Sequence, residues 1–148
     1  MDSKDVLLSE LIDDYESELL HMLFQSVGND GSALEELRSC TDTYVRFLID
    51  NRDSAMLTRF EFRSLRPSDQ ERGGMLRDKY QSLLHRILLD GGAEKLFDIE
   101  DVAITAHGLT ALLDGMSASA NVGGVKNPDG LVKLVQDIVA RAVGVSSF

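Results

Sequence analysis

The strongest constraint on this chain is the recurrence of apolar residues at intervals of three and four, in successive stretches broken by Gly, Asn or Pro. That spacing lays side chains along one face of a helix and cannot serve an alternating strand. From about Lys4 to Val27, Leu8, Leu11, Ile12, Tyr15, Leu19, Met22 and Leu23 mark a long amphipathic helix that Gly28–Gly31 ends. Ser32 and Glu35 have capping-box spacing and open a second helix, with Leu34, Leu37, Thr41, Tyr44 and Leu48 on its inner face. Asp53 is expected to cap a short third helix carrying Met56, Leu57, Phe60 and Phe62, closed by Arg66-Pro67. A second capping box, Ser68 to Glu71, is expected to open a fourth helix, with Leu76, Tyr80, Leu83, Leu84, Ile87 and Leu88 inward, ending at Gly91-Gly92. The paired Gly73-Gly74 predicts a fray or kink near its start, each glycine costing about 1 kcal/mol relative to alanine.

Asp98 is placed to cap a fifth helix running to about Asn121, rich in small residues that allow close helix approach. Asn127 and Pro128 fit the N-cap and first position of a sixth, striped by Leu131, Leu134, Val135, Ile138, Val139 and Ala142, with Val145–Phe148 as a loose tail. The expected fold class is all-α, a bundle of about six helices forming one domain over residues 1–148.

Charge narrows the partners. The formal net charge is −10, from 25 acidic and 15 basic residues, and such a surface repels a phosphate backbone. Arg59, Arg63, Arg66, Arg72 and Arg77 alternate with Glu61, Asp69, Glu71 and Asp78, which reads as a salt-bridged helix surface and not a nucleic-acid patch. The single cysteine, Cys40, cannot form an internal disulfide, and no apolar run approaches membrane-spanning length. A cytoplasmic protein without membrane partners is expected. Glu18-Leu19-Leu20-His21 has the Glu-x-x-His spacing of di-metal carboxylate bundles, but His85 and His107 follow Ser82 and Ile104 where a second motif needs glutamate. Glu18 and His21 are therefore read as surface or rim residues, and no metal, cofactor or catalytic residue is assigned.

Four segments carry a family resemblance. Ser3-Lys4-Asp5-Val6-Leu7-Leu8 looks like the junction that opens the long connecting helix of TetR-family transcriptional regulators, placing that helix at residues 2–27. Tyr44 to Asn51 is similar to the family's Tyr-x-x-Phe-x-x-x-Asn stretch, and Gly91 to Phe97 resembles its Gly-x-Ala-x-Gly-x-Phe loop, with Leu96 where glycine is common. Ala106 to Met116 resembles the Ala-x-x-Leu-x-Ala-Leu-Leu-Asp-Gly-Leu core of its penultimate helix.

The resemblance implies an effector-binding and dimerisation domain that controls DNA binding by a helix-turn-helix head absent from this sequence. It implies a homodimer through residues 101–143, with Ala111, Gly115, Ala118, Leu131, Leu134, Val135, Ile138, Val139 and Ala142 at the interface. It also implies a small-molecule pocket inside the bundle, for which Tyr44, Phe47, Phe60, Phe62, Tyr80, His107, Thr110 and Met116 are the candidate lining. His107 and Thr110 are the preferred polar pair, since a three-residue spacing puts both on one face. The alternatives are a helical di-metal oxidoreductase resting on Glu18 and His21, or a stand-alone helical dimerisation protein. Nothing in the sequence suggests an enzyme.

Overall fold

The computed structural model describes residues 3–28, 31–116 and 127–148. Among them the chain forms α1 (Ser3–Ser26), α2 (Ala33–Asp50), α3 (Arg52–Glu61) with a 3-10 turn at Phe62–Ser64, α4 (Pro67–Ala93), α5 (Val102–Gly115) and α6 (Pro128–Ala142), and no strand. α2 and α4 occupy the middle of the bundle. α1 packs on both, α6 lies against α2, α5 lies against α4, and the short α3 crosses α1. One continuous set of buried side chains draws on all six helices, centred on Leu37, Leu48, Ile87 and Leu88.

Two expected caps are where the sequence places them. The Ser32 hydroxyl accepts from the Glu35 amide at 3.3 Å, and the Asn127 amide oxygen accepts from Gly130 at 3.1 Å, with Pro128 in the first helical turn. Three other starts differ. α3 begins at Arg52 behind Asn51, leaving Asp53 in the first turn, where the helix dipole still favours it. α4 begins at Pro67, not at a Ser68 box, because the extended backbone that proline imposes on Arg66 already sets the helix start. α5 is capped by Asp101, whose carboxylate accepts from Ile104 at 2.9 Å, while the Asp98 amide is spent on the Val143 carbonyl. The expected extension of α5 to Asn121, and Ala118 with it, falls outside the described residues.

The inner faces are also shifted by a position or two. α3 buries Ala55 and Thr58 and leaves Phe60 62% exposed. α1 buries Ser9 and Glu16 with Ile12, Tyr15, Leu19 and Leu23, while Leu11 and Met22 face outward.

The glycine pairs do not break α4. Gly73 lies inside the helix, and a Cβ there would stand 2.6 Å from the Phe62 ring, so its role is to admit that ring. Gly91 does the same for Phe97. After Ala93 the chain turns through Lys95, whose φ of 59° is the left-handed conformation usually taken by glycine. The Lys95 and Leu96 amides then donate to the Gly92 and Gly91 carbonyls, a complete Schellman turn. Lys95→Gly should therefore stabilise the chain by about 0.5–1 kcal/mol in urea unfolding, through relief of the left-handed strain. A destabilised variant would show that the lysine side chain contributes more than its backbone costs.

The C-terminal turn is built alike. Gly144, at φ 79°, follows α6, and the Gly144 and Val145 amides donate to the Arg141 and Ala140 carbonyls. Val145 and Phe148 pack against the core, so the end of the chain is docked and not a loose tail.

Candidate functional site

A cavity of about 330 Å³ lies where α1, α2, α3, the 3-10 turn, α4 and the end of α5 converge. Leu19 and Ala55 form its apolar wall, Phe60 and Phe62 stand at one side, and Tyr15, Glu16, Tyr44, Arg77 and Asp114 supply polar atoms. Its volume falls at the lower end of the about 300–1,000 Å³ usual for a small-molecule site, and its lining is more polar than such sites usually are.

Asp114 ties the lining together. Its Oδ1 accepts from the Tyr44 hydroxyl and, at 3.1 Å, from the Tyr80 hydroxyl, and its Oδ2 lies 3.8 Å from Arg77. Its backbone carbonyl accepts from Arg59 at 3.3 Å. One residue at the last turn of α5 is thus bonded to α2, α3 and α4. Arg77 also donates to Glu16 of α1 at 3.2 Å, and its guanidinium lies over the Phe62 ring, 5.2 Å from the centroid. The ring-admitting Gly73 is one helical turn before Arg77, so the same glycine sets the lid of this cation.

Burial sets the ionisation. Desolvation raises the Glu16 carboxyl above its ordinary value despite the Arg77 charge beside it. Burial also opposes the Arg77 charge, but Glu16 and Asp114 outweigh it and hold the guanidinium above its usual value. The hydroxyls of Tyr15, Tyr44 and Tyr80 are all held above the ordinary tyrosine value, by burial first and then by neighbouring acidic groups. These are the only tyrosines in the chain, which has no tryptophan.

An alkaline titration should therefore show no tyrosinate absorbance as pH passes about 10, where free tyrosine ionises. A folded pKa above the unfolded one contributes stability that is whole below about pH 10 and lost above it, so the three phenols should ionise with unfolding. A phenol ionising near pH 10 in the still-folded chain would contradict this buried cluster.

The structure gathers part of the expected lining. Tyr44, Phe60 and Phe62 border the cavity, and Tyr80 is bonded to its Asp114. Phe47 is buried behind it with its ring 5.4 Å from that of Tyr15, and Met116 packs half-buried against the core. His107 and Thr110 do not reach the cavity. His107 is exposed on an outer groove with His85, and the Thr110 hydroxyl donates to Gln81 at 2.7 Å. Sequence reasoning missed Tyr15, Glu16, Arg77 and Asp114. Asp114 stood inside the Leu-Leu-Asp-Gly motif, and Arg77 inside the stretch read as a salt-bridged surface.

That reading of the arginines holds for Arg66 and Arg72, which pair with Asp69 at 2.9 and 3.2 Å, while Arg72 also reaches Asp13 at 3.0 Å. Glu18 and His21 are both exposed on α1, and no group of three His, Cys, Asp or Glu placed to hold a metal ion occurs among the described residues. No helix among those residues is long and apolar enough to cross a membrane.

The described residues thus form an all-helical bundle with a polar cavity open to one side. The model of the Tetracyclin repressor-like, C-terminal domain family matches residues 30–143, and the chain belongs to that family. It is the regulatory domain of a TetR-type transcriptional regulator. Solved structures with this fold include a bacterial regulatory protein of the TetR family from Rhodococcus RHA1, at 24% identity and TM-score 0.88, aligned over 96% of this chain and 75% of that one. The TetR-family transcriptional regulator PfmR from Thermus thermophilus aligns over 94% of this chain and 76% of its own, at 21% identity and TM-score 0.85. A TetR/AcrR-family regulator from Thermobifida fusca aligns over 94% of this chain and 74% of its own, at 17% identity and TM-score 0.80. Among curated proteins none matches this chain.

Proposed function

We propose that this domain senses a small molecule held in the cavity between α1, α3, α4 and α5, and that it works as a homodimer through the outer faces of α5 and α6. The observation that carries the first part is the polar lining itself. Glu16, Arg77 and Asp114 come from three helices and turn their charged groups to one cavity, where a ligand would meet all three. A ligand bound there touches α1 through Tyr15 and Glu16 and the end of α5 through Asp114. If it prefers one arrangement of α1 against α4, binding shifts the population towards that arrangement. α1 then passes the change to a DNA-binding head in the full regulator, and DNA is bound only through that head.

Support for the dimer comes from α6, where Leu134 and Ile138 are 63% and 47% exposed, Ala142 lies outward with them and Leu131 is half covered. On α5, Ala111 is exposed, Gly115 is half covered and Ile104 is 70% exposed. Val135 and Val139 are buried in this chain's own core, because the broad apolar stripe of α6 turns that side to α2. They are removed from the proposed interface.

Light scattering over a concentration series tests the assembly. The chain should run as a dimer, and Leu134→Glu with Ile138→Glu should give a folded monomer. A monomeric parent chain, or a double variant that stays dimeric, defeats this interface. For the cavity, tyrosine emission is a local reporter, since all three tyrosines surround Asp114. A ligand that raises the melting temperature without altering that emission binds elsewhere and counts against the cavity.

A further inference from the structure

The charges around the cavity are unequal. Five ionisable side chains line it besides the tyrosines: the carboxylates of Glu16 and Asp114 and the guanidiniums of Arg59, Arg63 and Arg77. Both carboxylates are already engaged, Glu16 by Arg77 and Asp114 by Arg77 and two tyrosine hydroxyls. Arg59 and Arg63 are different. Arg59 donates to a backbone carbonyl, and among the described residues neither guanidinium has a carboxylate within ion-pair distance. In a chain of net charge −10, two arginines beside one cavity with no acidic partner among the described residues leave that mouth locally positive. Between them in sequence stands Phe60, a large apolar ring that is 62% exposed at the same rim.

We infer that the effector is an organic anion, with its charged end on the Arg59 and Arg63 guanidiniums and its apolar body against Phe60, Phe62 and Leu19. The inference rests on the reading of this cavity as the effector site. A cationic ligand is disfavoured by the same count. The acidic groups that could receive it are already bonded within the protein, and it would have to pass two uncompensated arginines. A neutral ligand uses the aromatic wall but leaves both guanidiniums unused. Guanidinium forks suit carboxylate or phosphate oxygens, and a charge-assisted hydrogen bond of this kind changes affinity by about tenfold or more.

The test uses three probes of equal length and different charge: 4-phenylbutyrate, 4-phenylbutan-1-ol and 4-phenylbutan-1-amine. Each is titrated against the 148-residue chain by calorimetry and tyrosine emission. The carboxylate should bind most tightly and change the emission. Arg59→Gln with Arg63→Gln should weaken it about 10- to 100-fold, leave the alcohol within about twofold, and lower the melting temperature of the free chain only slightly, since both residues are exposed and the pair loses one hydrogen bond, from Arg59 to the Asp114 carbonyl. Arg59→Lys with Arg63→Lys should restore part of the loss. Tightest binding by the amine or the alcohol, with a change in tyrosine emission, overturns the anion and leaves the cavity standing. So does carboxylate binding that the glutamine variant does not weaken. Carboxylate binding that leaves the emission unchanged and survives Ala55→Leu, which narrows the cavity, overturns the cavity and the anion together. Absence of binding by all three at millimolar concentration does the same.

Discussion

Gly91→Ala should cost this domain about 2–4 kcal/mol, although alanine is the better helix residue by about 1 kcal/mol. The reason is one ring. A Cβ on Gly91 would stand 1.9 Å from Cδ2 and 2.2 Å from Cε2 of Phe97, which is only 7% exposed. No small adjustment relieves that overlap, so the ring must leave its site or the end of α4 must move. Expelling a buried phenylalanine forfeits most of the about 3–5 kcal/mol that its truncation costs, and the helix gain offsets only part of it. Moving the helix end instead disturbs the Gly91 carbonyl, which accepts from both Leu96 and Phe97 at 2.9 and 3.2 Å. Gly92 is the control. A Cβ there meets nothing within 4 Å, so Gly92→Ala should be neutral or stabilising by up to about 1 kcal/mol. Urea unfolding of the pair decides the matter, and a Gly91→Ala variant as stable as its parent would show that Phe97 is not seated as described.

The same glycine shows what the sequence could and could not say. Helix number, order and approximate ends were legible, because a spacing of three and four with short breaks leaves few other folds open to such a chain. Gly91-Gly92 was legible as punctuation but not as a socket, since the ring that fills it comes from beyond the turn. The cap errors at Asp53, Ser68 and Asp98 share one cause: several residues near each start could cap, and the backbone geometry around them chooses. At Arg66-Pro67 the proline chose, and at Asp101 the choice followed the pinning of Asp98 to Val143.

The site was less legible than the fold. Aromatic residues at helical spacing pointed to Tyr44, Phe60 and Phe62, which border the cavity, but spacing alone could not say that His107 turns outward. Glu16 was hidden by its charge. A periodicity search places acidic residues on the solvated face, and only the partner on α4 makes its burial intelligible. Arg77 was hidden for the converse reason, because its acidic sequence neighbours looked like sufficient company. Its partners are instead Glu16 and Asp114, from α1 and α5.

Removing Arg77 tests that arrangement directly. Arg77→Met keeps much of the aliphatic bulk and deletes the charge, so Glu16 stays buried without its cation and Asp114 loses the guanidinium beside it. Breaking a fully buried pair costs about 3–5 kcal/mol, and because the Arg77 side chain is 39% exposed we expect about 2 kcal/mol at neutral pH. For a domain of this length that is a fall of about 4–8 °C in melting temperature. The penalty should depend on pH in a stated direction. Glu16 already has a raised folded pKa, and losing Arg77 raises it further, so the contribution of its neutral form is whole below the unfolded value near 4.5 and is lost as pH rises through the folded one. The variant should thus lie closest to its parent near about pH 4.5 and fall further behind towards about pH 8. Glu16→Gln in the same chain should recover most of the loss and flatten that difference, giving a double-mutant coupling well above the error of additive sites. Equal losses at both pH values, or no recovery with glutamine, would mean that the α1–α4 tie depends on the packing of the Arg77 stem over Phe62 and not on its charge.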